Sequence, residues 1–475
     1  MPTARTRLLL ISPLLGAVAC AGDPTPAAPV DAAAEAGPDV HFLPLPEDKP
    51  DPTRLDVAPP DDAPPDAAVD APPPTRTRIR HVVVISQENH TFDNYFGRYC
   101  TAPAGSNPTC NDGPACCEAA PDREPSGSAP VALDDTLNAA RDPDHTQPCE
   151  AAEINGGRMD RFVTGASCSD RRNFAVASGG ADSVVAGYHA MAREGALADR
   201  YFQPIVGQTS ANDMYFAVAR KVFTDNEFQP YAIGQGCNPV TRTAQYVGER
   251  TVADLLLDAG YRAGFYAEGY RRMRDSAVCP LPPSDCAHRL PTYPCNYDPS
   301  DIPFNYYRQF ADNPAFLHDF EEFQRDLDAG RLPDVAWVKA VGYHTEHPGY
   351  GTRISVGVRW VEDCVRAIRA SRYADDTLIL VTWDEGGGYF DHVPPPGVDP
   401  VDREAPGTRV PMIALGPFAR RNHVSHVPLE HSSIVRFLEF NFLGATGQLR
   451  ARDATASNLG SLLDPARTGV AVPER

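Results

Sequence analysis

The chain is short of positive charge and of long hydrophobic runs. It has 43 Lys and Arg against 63 Asp and Glu in 475 residues, which gives a formal net charge of −20. Nucleic-acid backbones are bound by clustered cationic side chains, so this balance argues against nucleic acid as the main partner. It does not argue against a small phosphate ester, because a bound cation reverses the local field inside one pocket.

The hydrophobic run at the N-terminus, Leu8–Leu15, is too short to be a permanent membrane span. Two arginines precede it and small residues lead from it to Cys20, which predicts an export signal over residues 1–20. A Cys in this position resembles the lipobox of bacterial lipoproteins. Ala17 stands where that box usually has Leu, so cleavage by the ordinary signal peptidase is the alternative. We therefore expect either an envelope lipoprotein, periplasmic or on the surface, whose lipid anchor contacts the membrane, or a secreted protein.

Internal repeats are also missing, as are the paired C-x-x-C motifs typical of a zinc site. The chain nevertheless has twelve Cys, and ten of them fall between Cys100 and Cys295. Dense cysteine in an exported chain predicts a disulfide framework. Cys364 lies in an amphipathic helical pattern and is expected to be a buried free thiol.

Residues 21–77 consist largely of Pro, Ala and Asp and contain few aromatic side chains. Such a segment cannot bury enough apolar surface to fold, and its prolines keep it extended. We expect a disordered linker that holds a folded domain, residues 78–465, away from the membrane.

From Ile79 onward, short β-branched or aromatic runs alternate with helical patterns. The strand candidates are His81–Ser86, Ala263–Ala267, Val335–Lys339, Leu378–Trp383 and Val410–Leu415. The helix candidates are Thr251–Leu257, Phe316–Leu327 and Val358–Ala370. This alternation predicts an α/β fold, a doubly wound and largely parallel sheet with helices on both faces. The loop-rich segment Cys100–Cys168 is expected to be stapled over the sheet by disulfides.

Polar side chains follow the first strand at the point where it should emerge from the sheet. The preceding run Val82–Ile85 is apolar throughout, as expected for a strand buried on both faces. Glu88 and Asn89 come next, and ligands of open α/β sheets gather beyond the carboxyl ends of strands. The pair can offer a carboxylate and an amide oxygen to a cation. The alternative is a surface turn with a helix cap, because Asn caps helices well.

A second acidic pair, Asp384–Glu385, follows the strand candidate that ends at Trp383. Adjacent side chains on a strand point to opposite faces, so both acids serve one site only where the strand breaks. Gly386–Gly388 supplies that break. Such carboxylates are costly unless paired or metal-bound, with a solvated loop as the alternative. The oxygen-rich set predicts one divalent ion, with Mg, Ca or Mn favoured and Zn left open.

A candidate nucleophile lies between the two acidic pairs. Thr209 and Ser210 precede an apolar helical pattern. A hydroxyl at a helix N-terminus meets unpaired N–H groups and the positive end of the helix dipole, which suits a phosphate. A nearby metal would make that hydroxyl a nucleophile, whereas an ordinary helix cap is the alternative.

Histidines near these motifs can donate to a phosphate oxygen or protonate a leaving alkoxide. The candidates are His145, His344, His347 and His392. His344 and His347 bracket Glu346 in a loop after a strand candidate, and His392 is a candidate for binding the substrate phosphate.

Six segments, in order along the chain, resemble the phosphoesterase family that contains bacterial non-haemolytic-type phospholipases C, plant non-specific phospholipases C and a respiratory-burst-inhibiting acid phosphatase. They are QENHTFDNYFG from Gln87, NGGRMDRF from Asn155, GQTSANDMY from Gly207, LPDVAWV from Leu332, WDEGGGYFDHVPPP from Trp383 and GTRVPMIALGPFAR from Gly407. The resemblance runs from about Ile79 to about Gly444, and it implies an alkaline-phosphatase-like fold.

The resemblance implies a catalytic domain for metal-dependent hydrolysis of phosphate esters, of phospholipase C type, through a phosphothreonine intermediate. The implied metal ligands are Glu88, Asn89, Asp384 and Glu385. The implied nucleophile is Thr209. Asn212, His145 and a histidine of the His344–His347 loop would bind the phosphoryl group or assist the leaving group. The implied substrate is a phosphate ester, with phospholipid as the narrower class, and the oligomeric state is left open.

Departures from the family pattern bear on substrate preference more than on the reaction. Gly386 replaces the usual His after Asp-Glu, Asp213 stands where Arg is common, and His90 replaces the Arg after Glu-Asn. Two alternatives stay open: an acid phosphatase acting on phosphomonoesters, and a catalytically inactive surface-binding lipoprotein of the same fold. A sulfatase is disfavoured, because Thr209 lacks the C-x-P-x-R-type context of such enzymes.

Overall fold

The computed structural model describes residues 73–230, 243–276, 280–284, 286 and 293–475. The predicted export signal with Cys20, and the predicted linker up to residue 72, lie outside the described residues. The folded part extends beyond both boundaries predicted for the domain. Thr77 is buried and bonds to the side chain of Asn441, and Val472 is buried near the C-terminus. Within the described ranges, no helix has the length and hydrophobicity needed to cross a bilayer.

The described strands and helices alternate along much of the chain. The strands are β1 (His81–Gln87), β2 (Val131–Ala132), β3 (Ala175–Val176), β4 (Ala196–Ala198), β5 (Gln229–Pro230), β6 (Thr243–Ala244), β7 (Ala263–Ala267), β8 (Leu317–Asp319), β9 (Val335–Lys339), β10 (Thr377–Trp383), β11 (Met412–Leu415) and β12 (His423–Ser425). The helices are α1 (Phe92–Phe96), α2 (Asp135–Ala140), α3 (Gln147–Ile154), α4 (Ala186–Glu194), α5 (Thr209–Val218), α6 (Val252–Asp258), α7 (Tyr270–Arg274), α8 (Glu321–Ala329), α9 (Ile354–Ala370), α10 (His431–Leu438) and α11 (Pro465–Thr468).

Eight strands form the main sheet in the order β12-β4-β11-β10-β1-β9-β7-β8. β1 lies near the middle and runs parallel to both β10 and β9, while β11 runs antiparallel to its two neighbours. Every residue of β1, β9 and β10 is buried, as expected for apolar strands covered on both faces. The helices form two packed groups, one of α5, α6 and α10 and the other of α2, α4, α8 and α9. The predicted α/β class with a largely parallel sheet is confirmed.

The predicted helix Phe316–Leu327 is wrong at its start. Residues Leu317–Asp319 form the edge strand β8, which pairs with β7, and α8 begins only at Glu321. Pairing with a neighbouring strand outweighs local helical preference here, which a pattern confined to one segment does not reveal. The predicted stop is confirmed, because Gly330 ends α8 in the left-handed conformation.

Disulfides hold the loop-rich segment together as predicted. The described pairs are Cys100–Cys117, Cys110–Cys116, Cys149–Cys168 and Cys286–Cys295. Cys364 is the buried free thiol that was expected. Cys237 and Cys279 lie outside the described residues.

Candidate active site

The neighbouring parallel strands β1 and β10 end side by side and place the acidic pairs together at the carboxyl ends of the strands. Gln87, the last residue of β1, is in register with Trp383, the last residue of β10. Glu88 and Asp384 therefore emerge side by side, and both are buried. Asn89 adopts a left-handed φ of 65°, which Asn tolerates better than most residues, and its backbone N–H donates to Asp384 Oδ1 at 3.1 Å.

Several carboxylate oxygens at this edge have no hydrogen-bond partner. Glu88 Oε1, Asp384 Oδ2 and Glu385 Oε1 are buried and unpartnered. Desolvated oxygens of this kind are costly unless something else compensates them. Together with the amide of Asn89 they make an all-oxygen donor set, so the residues present fit a hard divalent cation.

A lysine that the sequence argument overlooked completes this group. Lys339 ends β9, in register with Ser86 of β1, and its side chain is 2% exposed. Its Nζ donates to Asp213 Oδ2 at 2.9 Å, and it lies 3.8 Å from Glu88 Oε1 and 3.7 Å from Asp384 Oδ2. The available signal was a charged residue at the end of an apolar strand, the same signal that identified the acidic pairs.

We call Glu88, Asp213, Asp384, Glu385 and Lys339 the carboxylate pocket. Burial raises the pKa of Asp384, the charge of Glu88 adds to this, and Lys339 opposes it. Burial likewise raises the pKa of Asp213 to about 7 against the effect of Lys339. Burial alone would lower the pKa of Lys339, but Asp213, Glu88 and Asp384 outweigh it and hold that pKa well above its usual range. The negative charge at position 213 is thus compensated within the fold.

Thr209 lies against this pocket at the start of α5. The N-cap position belongs to Gln208, so Thr209 is the first helical residue and is not itself the cap. Its Oγ1 donates to Asn89 Oδ1 at 3.4 Å. The hydroxyl is therefore directed at a predicted metal ligand at the helix N-terminus. Of the N–H groups of the first turn, that of Ser210 donates to Asn226 Oδ1 at 2.9 Å. Ser210 also has a buried hydroxyl, which has no hydrogen-bond partner.

Two of the four histidine candidates border the pocket. His145 Nε2 lies 3.4 Å from Asn89 Nδ2 and 3.8 Å from Glu385 Oε1. The ring of His347 lies 5.8 Å from the ring of His145 and 5.0 Å from that of Tyr293. Each imidazole has Nδ1 within hydrogen-bond distance of a backbone carbonyl, at 2.8 Å for His145 and 2.7 Å for His347. A carbonyl can only accept, so in the neutral ring Nδ1 carries the proton and Nε2 is the unprotonated acceptor, which in His145 faces the Asn89 amide.

Tyr293 and Glu346 are further residues that the sequence argument missed. Tyr293 Oη donates to Glu88 Oε2 at 3.2 Å. Glu346 is buried and accepts hydrogen bonds from Tyr95, at 2.5 Å, and from Tyr188. Burial raises its pKa to about 8. Glu346 thereby anchors the loop that carries His347, and no local pattern marks it for that task.

The other predicted site residues make their contacts elsewhere. His344 Nδ1 lies 2.9 Å from both carboxylate oxygens of Glu268, and its side chain is 28% exposed. The Asn212 amide donates to the carbonyls of Gly207 and Gln208 and accepts from the Ile205 N–H, so it holds the turn before Thr209. Phosphate binding by these two side chains remains a prediction.

His392 lies in a separate group of charged side chains, which we call the arginine clamp. The arginine clamp consists of Asp93, Glu118, Asp391, His392 and Arg409. His392 Nδ1 lies 2.9 Å from Asp93 and its Nε2 lies 2.9 Å from Glu118. Arg409 bonds to Asp391 at 2.8 Å and to Asp93 at 3.1 Å. His392 is therefore occupied on both ring nitrogens, and a phosphate-binding role for it also remains a prediction.

Gly386 has no room for a side chain. A Cβ there would lie 2.0 Å from Thr408 Oγ1 and 3.1 Å from Gln203 Oε1. Its backbone N–H donates to Gln203 Oε1 at 2.8 Å. The space beside the acidic pair is thus filled by Thr408 and Gln203, and the family's histidine would not fit here without rearrangement.

Three clusters of metal-type ligands occur among the described residues. Asp142, His145 and His347 have ligand atoms within 4.8 Å of one another. The second cluster contains Cys149 and Cys168, whose sulfurs form a disulfide, and the third belongs to the arginine clamp. Of these three clusters, only the first adjoins the carboxylate pocket, because its member His145 has Nε2 3.8 Å from Glu385 Oε1 of the pocket.

Known proteins of similar sequence are phospholipases C. Phospholipase C B of Mycobacterium tuberculosis is 24% identical over 430 residues, covering 81% of this chain and 77% of that protein. Non-hemolytic phospholipase C of Pseudomonas aeruginosa is 25% identical over 404 residues, covering 77% of this chain and 54% of the relative. A solved structure of an alkaline phosphatase superfamily protein from Vibrio parahaemolyticus is 14% identical, with a TM-score of 0.34 over 57% of this chain and 63% of that one.

The profile of the phosphoesterase family matches residues 79–443, which is most of the described domain. The matched range includes the ends of β1 and β10 and the start of α5, where the carboxylate pocket and Thr209 meet. The chain belongs to the phosphoesterase family and is a hydrolase of phosphoric esters.

Proposed function

We propose that this chain hydrolyses phosphodiesters of the phospholipase C type by a two-step phosphoryl transfer, with Thr209 as the nucleophile. The observation that carries the proposal is the 3.4 Å approach of Thr209 Oγ1 to Asn89 Oδ1, beside buried carboxylate oxygens without hydrogen-bond partners. A hydroxyl at a helix N-terminus next to such oxygens is suited to phosphoryl transfer.

The proposed metal ligands are Glu88, Asn89, Asp384 and Glu385. Their oxygen atoms favour Mg, Ca or Mn, with Zn as the less favoured ion. A divalent ion held there would offset the charge of the phosphoryl group and acidify the Thr209 hydroxyl. The unpartnered oxygens of Glu88, Asp384 and Glu385 support this assignment.

In the first step, Thr209 Oγ1 forms a bond to phosphorus while the bond from phosphorus to the leaving alcohol breaks. The N–H groups of the first turn of α5, apart from that of Ser210, which donates to Asn226 Oδ1, donate to the phosphoryl oxygens and stabilise their charge. Nε2 of His145 or His347 accepts the hydroxyl proton or returns one to the leaving alkoxide, because the backbone holds Nδ1 of each ring. In the second step, water attacks phosphorus and gives up a proton to the same imidazoles while the bond from phosphorus to Thr209 Oγ1 breaks. Oγ1 takes a proton back, and the phosphate product leaves.

A polar cavity beside Thr209 favours a second candidate, a phosphomonoesterase that acts on small hydrophilic esters. Its volume is about 530 Å³, and its walls include Asp142, His145, Asp170 and Gln208. Gln208 is the N-cap of α5, so the cavity opens next to the proposed nucleophile. Such walls suit a hydrated alcohol better than an acyl chain. The relatives named phospholipase C support the diester reading instead.

Parallel assays separate these candidates. We expect the purified protein to cleave phosphatidylcholine in the presence of a divalent ion, and faster turnover of p-nitrophenyl phosphate would favour the monoesterase.

Thr209→Val should lower kcat by about 10⁴-fold, since the nucleophile would be gone. Ser210→Ala is the matched control and should change kcat only a few-fold. Full activity of Thr209→Val would refute the nucleophile assignment, and no ester turnover with Mg, Ca, Mn or Zn would favour a binding protein that lacks activity.

The N-terminal sequence supports a further proposal on location. Residues 1–20 would export the chain, and Cys20 would carry a lipid anchor that brings the enzyme to a membrane. Labelled palmitate should be incorporated by the full-length chain and not by Cys20→Ser. Equal incorporation by both would contradict the anchor.

A further inference from the structure

The carboxylate pocket contains more negative charge than its own residues neutralise. Three buried carboxylates, those of Glu88, Asp213 and Asp384, surround the ammonium group of Lys339, and the buried carboxylate of Glu385 follows Asp384 in the chain. Lysine is almost never fully buried unless it is paired, since an isolated ammonium loses its hydration. A buried lysine at the end of a central strand therefore requires these carboxylates as partners. The remaining question is what effect Lys339 has on them.

The distances divide the contacts of Lys339 into two kinds. Its Nζ donates a hydrogen bond to Asp213 Oδ2 at 2.9 Å. The oxygens of Glu88 and Asp384 that face it, at 3.8 Å and 3.7 Å, are the ones without hydrogen-bond partners. These separations are too long for hydrogen bonds, so the ammonium attracts both oxygens without occupying their lone pairs.

We propose that Lys339 is a positioning residue that supplies a fixed second positive charge to the site, held by Asp213 at a distance that leaves Glu88 and Asp384 free to bind one divalent ion. The inference rests on the proposed metal site. In two-metal phosphoesterases a second ion helps to clamp the reacting oxygens. Here the ammonium stands beside the ligand carboxylates in place of that second charge, so one ion is enough.

Asp213 is the element that makes this arrangement work. Without it, the ammonium would move toward Glu88 and Asp384 and compete with the divalent ion for the same oxygens. The negative charge at this position is therefore a restraint on Lys339. It is supplied from α5, the same helix that begins with Thr209, so the lysine is fixed relative to the nucleophile.

Mn²⁺ binding to the chelator-treated, full-length protein tests the proposal by calorimetry, independently of turnover. The wild type should bind one Mn²⁺. Lys339→Met should bind it at least about ten-fold tighter or take up a second ion, because a nearby like charge is gone. Asp213→Asn should bind Mn²⁺ at least about ten-fold more weakly, because the released ammonium competes for the ligands.

Two further variants separate charge placement from folding. Lys339→Arg should restore one-ion binding near the wild-type affinity. The double variant Lys339→Met/Asp213→Asn keeps the net charge of the pocket and removes the buried pair as a unit, so it is informative even if Lys339→Met does not fold. Tighter binding by this double variant supports the proposal. Wild-type stoichiometry and affinity in every variant that folds would overturn it, whereas no Mn²⁺ binding by the wild type would instead refute the proposed metal site.

Discussion

The carboxylate pocket and the arginine clamp are built from similar parts of the chain but differ in how completely their carboxylate oxygens are hydrogen-bonded. Each takes one acid from the segment after β1 and another from the segment after β10: Glu88 and Asp384 in the pocket, Asp93 and Asp391 in the clamp. In the clamp, Arg409 and His392 bond to the acids from both sides. In the pocket, three carboxylate oxygens have no hydrogen-bond partner.

This difference distinguishes a binding site from a structural ion network. A buried acid whose oxygens are all bonded stabilises one arrangement of the chain, and little is left with which to bind a ligand. Buried acids with unused oxygens are destabilising unless a ligand completes them, so their persistence points to function. The clamp joins α1, the segment after β10 and the disulfide-bonded loop, and so it holds the edge from which the pocket emerges.

The first prediction compares the loss of one carboxylate from the pocket with the loss of the equivalent carboxylate from the clamp. Asp384→Asn should lower kcat by about a thousand-fold, because a ligand of the proposed metal is lost, while the free energy of unfolding is maintained. Asp391→Asn should lower the free energy of unfolding by about 3 kcal/mol, because Arg409 loses a buried partner, and should leave kcat within a few-fold at low temperature. Urea unfolding and steady-state assays on both variants check this, and the reverse pattern would contradict the division of roles.

The second prediction concerns the two histidines of one loop. His347 faces His145 and Tyr293 at the pocket, whereas His344 pairs with Glu268 outside it. His347→Asn should lower kcat/KM by about a hundred-fold, as expected for loss of an acid–base group. His344→Asn is the control, and we expect its kcat/KM to stay close to the wild-type value. Equal losses would show that the loop acts as one unit.

The third prediction is a pH window for the stability that the clamp contributes. Burial acts to lower the pKa of His392, but Asp93 and Glu118 outweigh it and raise the pKa from 6.5 to about 9. Stability from this group is complete below pH 6.5 and is lost as the pH rises toward 9. Burial acts to raise the pKa of Glu118, but His392 and backbone N–H groups lower it from 4.5 to about 2, so its contribution is complete above pH 4.5 and is lost as the pH falls toward 2.

His392→Gln tests this window. The difference in unfolding free energy between the wild type and the variant should be about 2 kcal/mol between pH 4.5 and 6.5 and should shrink on either side. Urea titrations across this pH range measure it. A difference that does not change with pH would mean that His392 acts through packing and not through its charge.

The sequence was informative where burial is continuous along the chain. β1, β7, β9 and β10 are predicted to within one residue because these parallel strands are buried at every position and are therefore largely apolar. β4, β8 and β12 have three residues each, and partners distant in sequence decide that they are strands. The wrong helix prediction at Leu317–Asp319 has the same cause, because these residues pair with β7, which is distant in sequence.

The candidate site follows the same rule, because local features could be predicted from the sequence and contacts between distant segments could not. Glu88 and Asp384 were predictable because position at a strand end is a local property. The pairing of Lys339 with Asp213 was not, because these residues lie 126 positions apart and meet only where α5 comes next to the end of β9. The choice between His344 and His347 depends on how Glu346 anchors their loop, which sequence spacing does not encode.

Metal binding by matched variants of the pocket and the clamp tests the central claim most directly. Chelator-treated wild type and Glu118→Gln should each bind one Mn²⁺ with similar affinity in calorimetry, because Glu118 belongs to the clamp. Glu88→Gln should bind Mn²⁺ at least about a hundred-fold more weakly, because a charged oxygen ligand becomes a neutral amide. Binding by Glu88→Gln as tight as that of the wild type would contradict the account.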